Sequence, residues 1–191
     1  MFTDIDDTLT TEGAITPDAL QALADLRDAG LPVIAVTGRP VGWSVPFALA
    51  WPLRAIVAEN GAVALISGDI DQIGCQSFPD QRAQLSKIYQ QDAATRARNF
   101  EQLQRAAARV LREVPGSALA QDSPGRETDI AIDHSEFSRL DEAQIAQAVA
   151  VMQAEGLHAT VSSIHINGWL GTHDNWQGEC WIARECMDRD C

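Results

Sequence analysis

The chain has 191 residues, 46% hydrophobic and 21% charged, which is typical of a soluble globular protein. Its net charge of -13 and its single lysine, Lys87, argue against a nucleic-acid partner, because clustered Lys and Arg hold phosphate backbones. The cysteines form no CxxC pair, no apolar run approaches the ~20 residues that span a bilayer, and position 4 is already charged. We therefore expect a cytoplasmic protein with no zinc site, no membrane partner and no signal peptide.

The first part of the chain alternates short apolar runs with helical segments. The predicted order is strand 1–3, helix 17–29, strand 31–36, helix 41–50 and strand 54–58. Pro17 suits the first position of a helix, and Gly30 suits the position just after its end. Strand-helix-strand repetition predicts an α/β fold with a parallel sheet, whose ligands bind at the carboxyl ends of the strands.

From residue 62 the pattern becomes that of an α+β module. The predicted order is a hairpin at 62–66 and 70 onward around Gly68-Asp69, a helical stretch 80–114 with a candidate break near 90–95, strand 127–133, helix 141–155, and strands 158–162 and 164–167. A last helix, residues 175–187, returns to the first domain. We expect a core at 1–66 and 169–191, with the module inserted at 67–168.

The strongest chemical signal is Asp4-Ile5-Asp6-Asp7-Thr8, directly after the first strand. Carboxylates two residues apart at the end of a strand point into the same crevice. One of them can attack phosphorus while the other moves a proton. The alternative is an acidic loop that caps a helix.

Two further motifs follow the second and third strands. Thr37-Gly38-Arg39 offers a hydroxyl and backbone N–H groups that can hold phosphate oxygens, and Gly38 allows close backbone approach. The alternative is a strand-ending turn. Glu59-Asn60-Gly61 is a tight turn that leads to the inserted module.

In this order and spacing, the three motifs resemble the haloacid dehalogenase (HAD) superfamily, with a C2-type cap inserted after the third core strand. The most similar groups are the Cof, sucrose-phosphate, trehalose-phosphate and mannosyl-phosphoglycerate phosphatases. The resemblance covers nearly the whole chain, and its first motif is the most specific. It implies a Rossmann-like core and Mg²⁺-dependent hydrolysis of a small phosphorylated metabolite, such as a sugar phosphate.

The resemblance also implies roles for residues of the core. Asp4 is the implied nucleophile that forms an aspartyl-phosphate, Asp6 the implied proton donor that later activates water, and Thr37 the implied hydrogen-bond partner of the phosphoryl group. The implied Mg²⁺ ligands are the Asp4 carboxylate, the Asp6 backbone carbonyl and an acidic residue of a later motif. The remaining implied substrate-binding residues of the core are Thr8, Gly38, Arg39 and Asn60.

Polar residues of the module occupy positions where such enzymes contact their substrates. They are Arg126, Glu127, Asp129, His165 and Asn167. Arg126 is the one module cation suited to a second anionic group. The alternative is that each is an ordinary exposed strand residue; for His165, between Ile164 and Ile166, that means a solvent-facing position of an alternating strand.

The chain departs from the family at its third motif, a lysine that neutralises the nucleophile and the phosphate. By its spacing to Gly178 and the following helix, Asn175 stands at the lysine's place and contributes to substrate binding through its amide. An amide donates a hydrogen bond but carries no charge. Two functions therefore stay open: a phosphatase, or a non-catalytic relative that binds a phosphorylated ligand or a protein partner.

The fourth family motif is Gly-Asp followed by another Asp. The one similar string in the chain is Gly68-Asp69-Ile70-Asp71, but it lies in the predicted hairpin, so we do not assign it to this motif. We expect the last core segment to be missing. Residues 1–4 then form an open sheet edge that favours self-association. Trp176, Trp181 and Ile182 are then expected to be partly exposed.

Overall fold

The computed structural model describes residues 1–11, 13–68 and 85–187. Contacts divide the chain into two units, the first formed by Met1–Gln90 and His173–Cys191 and the second by Gln91–Thr172. Within the described ranges, no helix is long and apolar enough to cross a membrane. In chain order the elements are β1 (Phe2–Asp4), β2 (Thr10–Thr11), β3 (Ala14–Ile15), α1 (Pro17–Asp28), β4 (Ile34–Val36), α2 (Val41–Ala50), β5 (Ala55–Ala58), β6 (Val63–Ser67), β7 (Leu85–Tyr89), α3 (Ala93–Glu113), β8 (Ala118–Leu119), β9 (Asp129–Asp133), α4 (Glu142–Ala154), β10 (His158–Val161), β11 (His165–Trp169) and α5 (Asn175–Met187).

The first unit is built on a sheet of strand order β1-β4-β5-β6-β7. Strands β1, β4 and β5 are parallel, whereas β6 and β7 run antiparallel to their neighbours. This arrangement confirms the predicted α/β core. Because β1 lies at the edge of the described sheet, it presents N–H and C=O groups on one side; self-association through that edge stays a prediction.

Helix α1 begins and ends where short-range sequence signals predict. The Thr16 side chain accepts a hydrogen bond from the Ala19 N–H at 3.4 Å, and Pro17 occupies the first turn. Gly30 follows the helix with φ +74°, a left-handed conformation that glycine adopts without steric cost. Both predicted ends of the helix are confirmed.

Alternating residues of the segment formed by Val33 and β4 pack on opposite faces of the sheet. Val33 and Ala35 join the cluster formed with α1 and α2, whereas Ile34 and Val36 join Ile182 of α5. Ile182 is fully buried, so the expectation that it is partly exposed is wrong. The faces of β4 and β5 present enough apolar surface to enclose it. Trp176, as expected, is exposed.

The predicted helix 80–114 is wrong in its first part. Leu85–Tyr89 is strand β7, which pairs with β6, and the helix begins at Ala93. The spacing of Leu85, Ile88 and Tyr89 fits a helix, but so short a segment also fits a strand with apolar residues on both faces. Here Ile88 packs on the Ile182 side of the sheet, and Leu85 and Tyr89 on the other. The expected hairpin turn after Gly68, and residues 69–71 of the Gly68–Asp71 string, lie outside the described residues.

The second unit is an antiparallel sheet of order β10-β11-β9-β8, with α3 and α4 on one face. Its core contains Leu103, Val110, Ile132, Met152 and Ile166. Because strand side chains alternate between faces, polar residues of β9 and β11 lie on the helix-free face. They are Asp129, Asp133, His165 and Asn167.

The Asp133 carboxylate holds the loop after β9. It accepts hydrogen bonds from the backbone N–H groups of Ser135, Glu136, Phe137 and Ser138 at 2.7–3.1 Å. Burial disfavours the charged form, but the N–H groups of Ser138, Glu136 and Phe137 outweigh it and hold the pKa of Asp133 below its ordinary value. The loop is therefore stabilised by the ionised side chain.

We expect Asp133→Asn to destabilise the protein by about 3 kcal/mol at neutral pH, because an amide offers one acceptor oxygen instead of two. A pKa lower in the folded than in the unfolded state gives stability that is present above the unfolded value and lost as pH falls through the folded one. The gap in melting temperature between wild type and variant should therefore close below about pH 4. Calorimetric melting across pH measures it. The exposed Asp28→Asn is the control, and a gap that does not change with pH would contradict the prediction.

Candidate active site

The three sequence motifs lie side by side at the carboxyl end of the core sheet. Asp4 ends β1 and pairs in register with Val36, the residue before Thr37. The Thr37 N–H donates to the Val57 carbonyl at 2.9 Å, and the Asn60 N–H donates to the Thr37 carbonyl at 3.4 Å. The motif loops are therefore tied together by backbone hydrogen bonds.

The loop after β1 turns about a single carbonyl. The Ile5 carbonyl accepts from the N–H groups of Thr8, Leu9 and Thr10 at 3.0–3.3 Å, and from the Thr10 hydroxyl at 3.1 Å. Asp7 has φ 57°, in the left-handed region that Asp tolerates better than most residues. Thr8, an implied substrate-binding residue, has its side chain exposed on this turn.

Asp4 lies in a negative environment. Partial desolvation raises the pKa of the Asp4 carboxyl, and the charges of Asp6 and Asp7 raise it further, while a hydrogen bond from the Ile5 N–H acts in the opposite direction. Positive charge next to Asp4 is therefore favourable, because it offsets the repulsion among these carboxylates.

Asp6 forms an ion pair with Arg39. The Arg39 Nε lies 3.3 and 3.2 Å from the two carboxylate oxygens, and Nη2 lies 3.0 Å from Oδ1. The guanidinium also lies 5.2 Å from the centre of the Trp43 ring, a distance typical of a cation–π contact. Arg39, which the resemblance places among the substrate-binding residues, thus positions the Asp6 side chain.

Thr37 and Asn60 lie in buried or half-buried loops whose conformation is fixed by hydrogen bonds. Thr37 is 2% exposed, and its hydroxyl oxygen accepts from the Arg39 N–H at 3.1 Å, which leaves the hydroxyl proton able to donate. Asn60 has φ 55°. The neighbouring Glu59 is fully buried, and its Oε1 accepts from the Val41 N–H at the start of α2 at 3.0 Å, so this carboxylate is structural. Gly38 is half-buried beside them.

A cavity of about 380 Å³ opens at the end of β1. It is lined by Phe2, Thr3, Asp4, Val36, Asn175 and Glu179. The structure thus brings Asn175 to the same cavity as Asp4. Glu179 was missed from the sequence, although its spacing of four residues from Asn175 on a predicted helix places both on one helix face.

The start of α5 is fixed by a backbone contact. The Asp174 side chain accepts from the Gln177 N–H at 2.7 Å, which caps the helix. Gly61 and Gly178 approach so closely that a Cβ on Gly178 would lie 2.6 Å from the Gly61 Cα. This contact sets the position of α5, and with it that of Asn175 and Glu179.

The oxygen donors at the cavity suit a hard divalent cation. Mg²⁺ is held by one or two carboxylates and keeps several waters, and Asp4 and Glu179 supply two carboxylates while Asn175 supplies an amide oxygen. Across residues 1–11, 13–68 and 85–187, no group of three or more His, Cys, Asp or Glu side chains could hold a metal ion. A Mg²⁺ site here fits the donors present and stays a proposal.

In the second unit, Arg126 is a buried and paired cation. Its Nη1 lies 2.9 and 2.8 Å from the Asp129 oxygens, and its Nη2 lies 3.2 Å from Asp122. Arg126 and Asp129 line a cavity of about 510 Å³ within this unit, together with Phe100, Leu119 and Ser123. The alternative of exposed strand residues is wrong for both. Because two carboxylates already neutralise Arg126, its contact with a second anionic group stays a prediction.

His165 and Asn167 are also buried, so the solvent-facing alternative is wrong for them. The His165 Nε2 lies 3.0 Å from the Glu136 Oε2. Asn167 is 8% exposed, and within the described part of the chain its Oδ1 accepts no hydrogen bond. The two residues share a face because they are two positions apart on β11, but sequence alone could not show that they are buried.

A sequence model of the haloacid dehalogenase-like hydrolases matches residues 1–97, half of the chain. No curated protein sequence matches the chain significantly.

Solved structures share the fold over nearly the whole chain. A sucrose-phosphatase from Synechocystis sp., in complex with sucrose and phosphate, is 13% identical with a TM-score of 0.62; the match covers 96% of this chain and 68% of that one. A trehalose-6-phosphate phosphatase related protein is 14% identical with a TM-score of 0.61, covering 95% and 72%. A Thermoplasma acidophilum protein is 13% identical with a TM-score of 0.65, covering 96% and 69%. At these identities the similarity shows the fold alone.

Proposed function

The chain belongs to the haloacid dehalogenase-like hydrolases, and from that membership we propose that it is a Mg²⁺-dependent phosphatase of small phosphorylated metabolites, acting through an aspartyl-phosphate. The observation that carries this proposal is the position of Asp4. It ends β1 next to the Thr37 motif and opens on a cavity large enough for a phosphoryl group.

In the proposed reaction, an Asp4 carboxylate oxygen attacks phosphorus, and the bond between phosphorus and the ester oxygen breaks. The leaving oxygen takes a proton from Asp6. A water molecule then attacks the phosphoryl group and gives its proton to Asp6, releasing inorganic phosphate and the free Asp4 carboxylate. Arg39 keeps the Asp6 side chain in place for both proton transfers.

Thr37, the backbone around Gly38 and Asn175 are the proposed contacts of the phosphoryl oxygens. The proposed Mg²⁺ ligands include the Asp4 carboxylate and the Asp6 backbone carbonyl. When bound, Mg²⁺ neutralises negative charge on the phosphoryl oxygens.

A sugar phosphate is the proposed substrate class. Two of the similar structures are named for a sucrose-phosphatase and a trehalose-6-phosphate phosphatase related protein. We propose that the second unit is a C2-type cap, and that its buried polar residues select the sugar. They are Arg126, Asp129, His165 and Asn167.

Phosphate release from a panel of sugar phosphates and nucleoside monophosphates tests the function. The purified chain should release phosphate with Mg²⁺, lose that activity in excess EDTA, and recover it on Mg²⁺ addition. Higher kcat/KM for a sugar phosphate than for any nucleotide supports the substrate class. Release no faster than in protein-free buffer across the panel contradicts the proposed activity.

A second candidate is a non-catalytic protein that binds a phosphorylated ligand. It is favoured by Asn175, which supplies no positive charge where the resemblance places a lysine. Calorimetry that shows binding of a sugar phosphate without any turnover would support this candidate over the phosphatase.

We expect Asn175→Lys to tighten the binding of tungstate or inorganic phosphate roughly ten- to a hundredfold. The added ammonium faces the cavity that Asp4 lines, and a charge-assisted hydrogen bond contributes ~1.5–3 kcal/mol. The gain should shrink at high salt, because screening weakens charge attraction.

Gln177→Lys is the matched control, since it makes the same charge change at an exposed position of the same helix that is not among the cavity-lining residues. Titration calorimetry at two salt concentrations measures both variants. An equal gain in the two would mean that overall charge, not the place of residue 175, sets the affinity.

A further inference from the structure

Two acidic residues line one cavity in the first unit. Asp4 reaches it from the end of β1, and Glu179 from α5. Asn175 lies one helical turn before Glu179, so both side chains project from the same face of the helix. The close contact of Gly61 with Gly178 holds that face at the sheet.

The charge at this cavity is negative. Of the residues that the structure describes, none that lines the cavity is Lys, Arg or His. Among the described residues, the Glu179 carboxylate forms no ion pair or hydrogen bond. A phosphate ester that enters next to Asp4 therefore approaches two acidic residues, and like charges repel each other. A cation between the carboxylates removes this conflict.

We propose that Glu179 is a metal-binding residue, which together with Asp4 holds the divalent cation required for the proposed function. The donors are hard oxygens, which Mg²⁺ prefers over nitrogen and sulfur. Two carboxylates leave coordination positions for waters and for a phosphoryl oxygen. Glu179 then contributes the negative charge that retains the cation at a site where Asn175 supplies no ammonium.

Mg²⁺ titration of the full chain without substrate tests this assignment. We expect Glu179→Gln to weaken Mg²⁺ binding at least tenfold, and Asp4→Asn to weaken it to a similar extent. Mn²⁺ in place of Mg²⁺, followed by electron paramagnetic resonance, reports the same binding independently of heat. The matched control is Glu185→Gln, the same charge change on the same helix at a residue that does not line the cavity; its Mg²⁺ affinity should equal that of the wild type.

Three outcomes would overturn the assignment: a wild-type chain that binds no Mg²⁺, a Glu179→Gln chain that binds it as well as the wild type, or an equal loss in Glu185→Gln. Circular dichroism of each variant shows whether α5 has remained helical, and Glu179→Asp should recover part of the affinity. A different result would contradict the proposed function. A chain that binds Mg²⁺ through Glu179 but releases no phosphate is not a phosphatase, and the assignment of Glu179 remains valid.

Discussion

Replacing Asp4 by asparagine should lower phosphatase turnover by at least about a thousandfold, because an amide cannot form the acyl-phosphate and removal of a nucleophile disables the whole catalytic set. The side chain keeps nearly the same shape, and Asp4 lies at an exposed strand end. Folding should therefore be unaffected. Steady-state release of phosphate from the best substrate, together with thermal melting, measures both effects.

Asp7→Asn is the matched control for Asp4→Asn. It removes the same charge from the same loop, and asparagine tolerates the left-handed φ of 57° at this position. Its turnover should stay within a few-fold of the wild type. The turnover of Asp6→Asn should lie between those of Asp4→Asn and Asp7→Asn, because general acid–base catalysis contributes ~10²–10⁴-fold. Its substrate binding should be unchanged. Undiminished turnover by purified Asp4→Asn would refute the role of Asp4 as nucleophile.

Elements with local signals were predictable from the sequence. Helix α1 has a capping threonine, a proline in its first turn and a glycine after its end, and all three act through neighbouring backbone groups. Strands β4 and β5 are apolar on both faces, as buried parallel strands are. For β7 the local signal was ambiguous, because the three apolar residues of a five-residue segment are too few to separate the helical period from the strand period. Pairing with β6, a tertiary contact, decides its conformation.

The site was predictable where its residues lie in motifs, and less so where distant residues meet. Asp4 and Thr37 follow successive strands, so parallel topology alone brings them to one edge of the sheet. The bonds between Arg39 and Asp6 join side chains 33 residues apart, and no spacing rule predicts them. Glu179 reaches the cavity only because α5 packs on β4 and β5.

The contact that positions α5 should be the most sensitive point of the first unit. Gly61 has φ +100°, and a Cβ built on it would lie 2.2 Å from the Asp174 carbonyl oxygen. Neither the turn nor the helix start can yield without moving backbone. Left-handed strain costs ~1–2 kcal/mol, and overpacking adds ~1–3 kcal/mol. Gly61→Ala should therefore remove roughly 2–5 kcal/mol, a large share of the ~5–15 kcal/mol that stabilises a typical domain.

Gly30→Ala separates the two contributions to the Gly61→Ala effect. Gly30 also has a left-handed φ of +74°, but a Cβ on it meets nothing within 4 Å. Gly30→Ala should therefore lower the unfolding free energy through backbone strain alone. Chemical denaturation of both variants gives the difference in unfolding free energy, and equal losses would mean that the close approach of α5 contributes nothing.

Gly178→Ala tests the same contact from the helix side. The sign of the change in unfolding free energy shows whether helix propensity or the close contact has the larger effect. Gly178 lies within α5, where alanine in place of glycine normally stabilises a helix by ~1 kcal/mol. A Cβ at this position would lie 2.6 Å from the Gly61 Cα and 3.2 Å from the Gly61 carbonyl oxygen. We therefore expect a destabilised protein in denaturant titrations. We also expect weaker Mg²⁺ binding in the fraction that folds, because displacement of α5 moves Glu179 away from Asp4. A stabilised Gly178→Ala chain with unchanged Mg²⁺ affinity would show that α5 is not held by this contact.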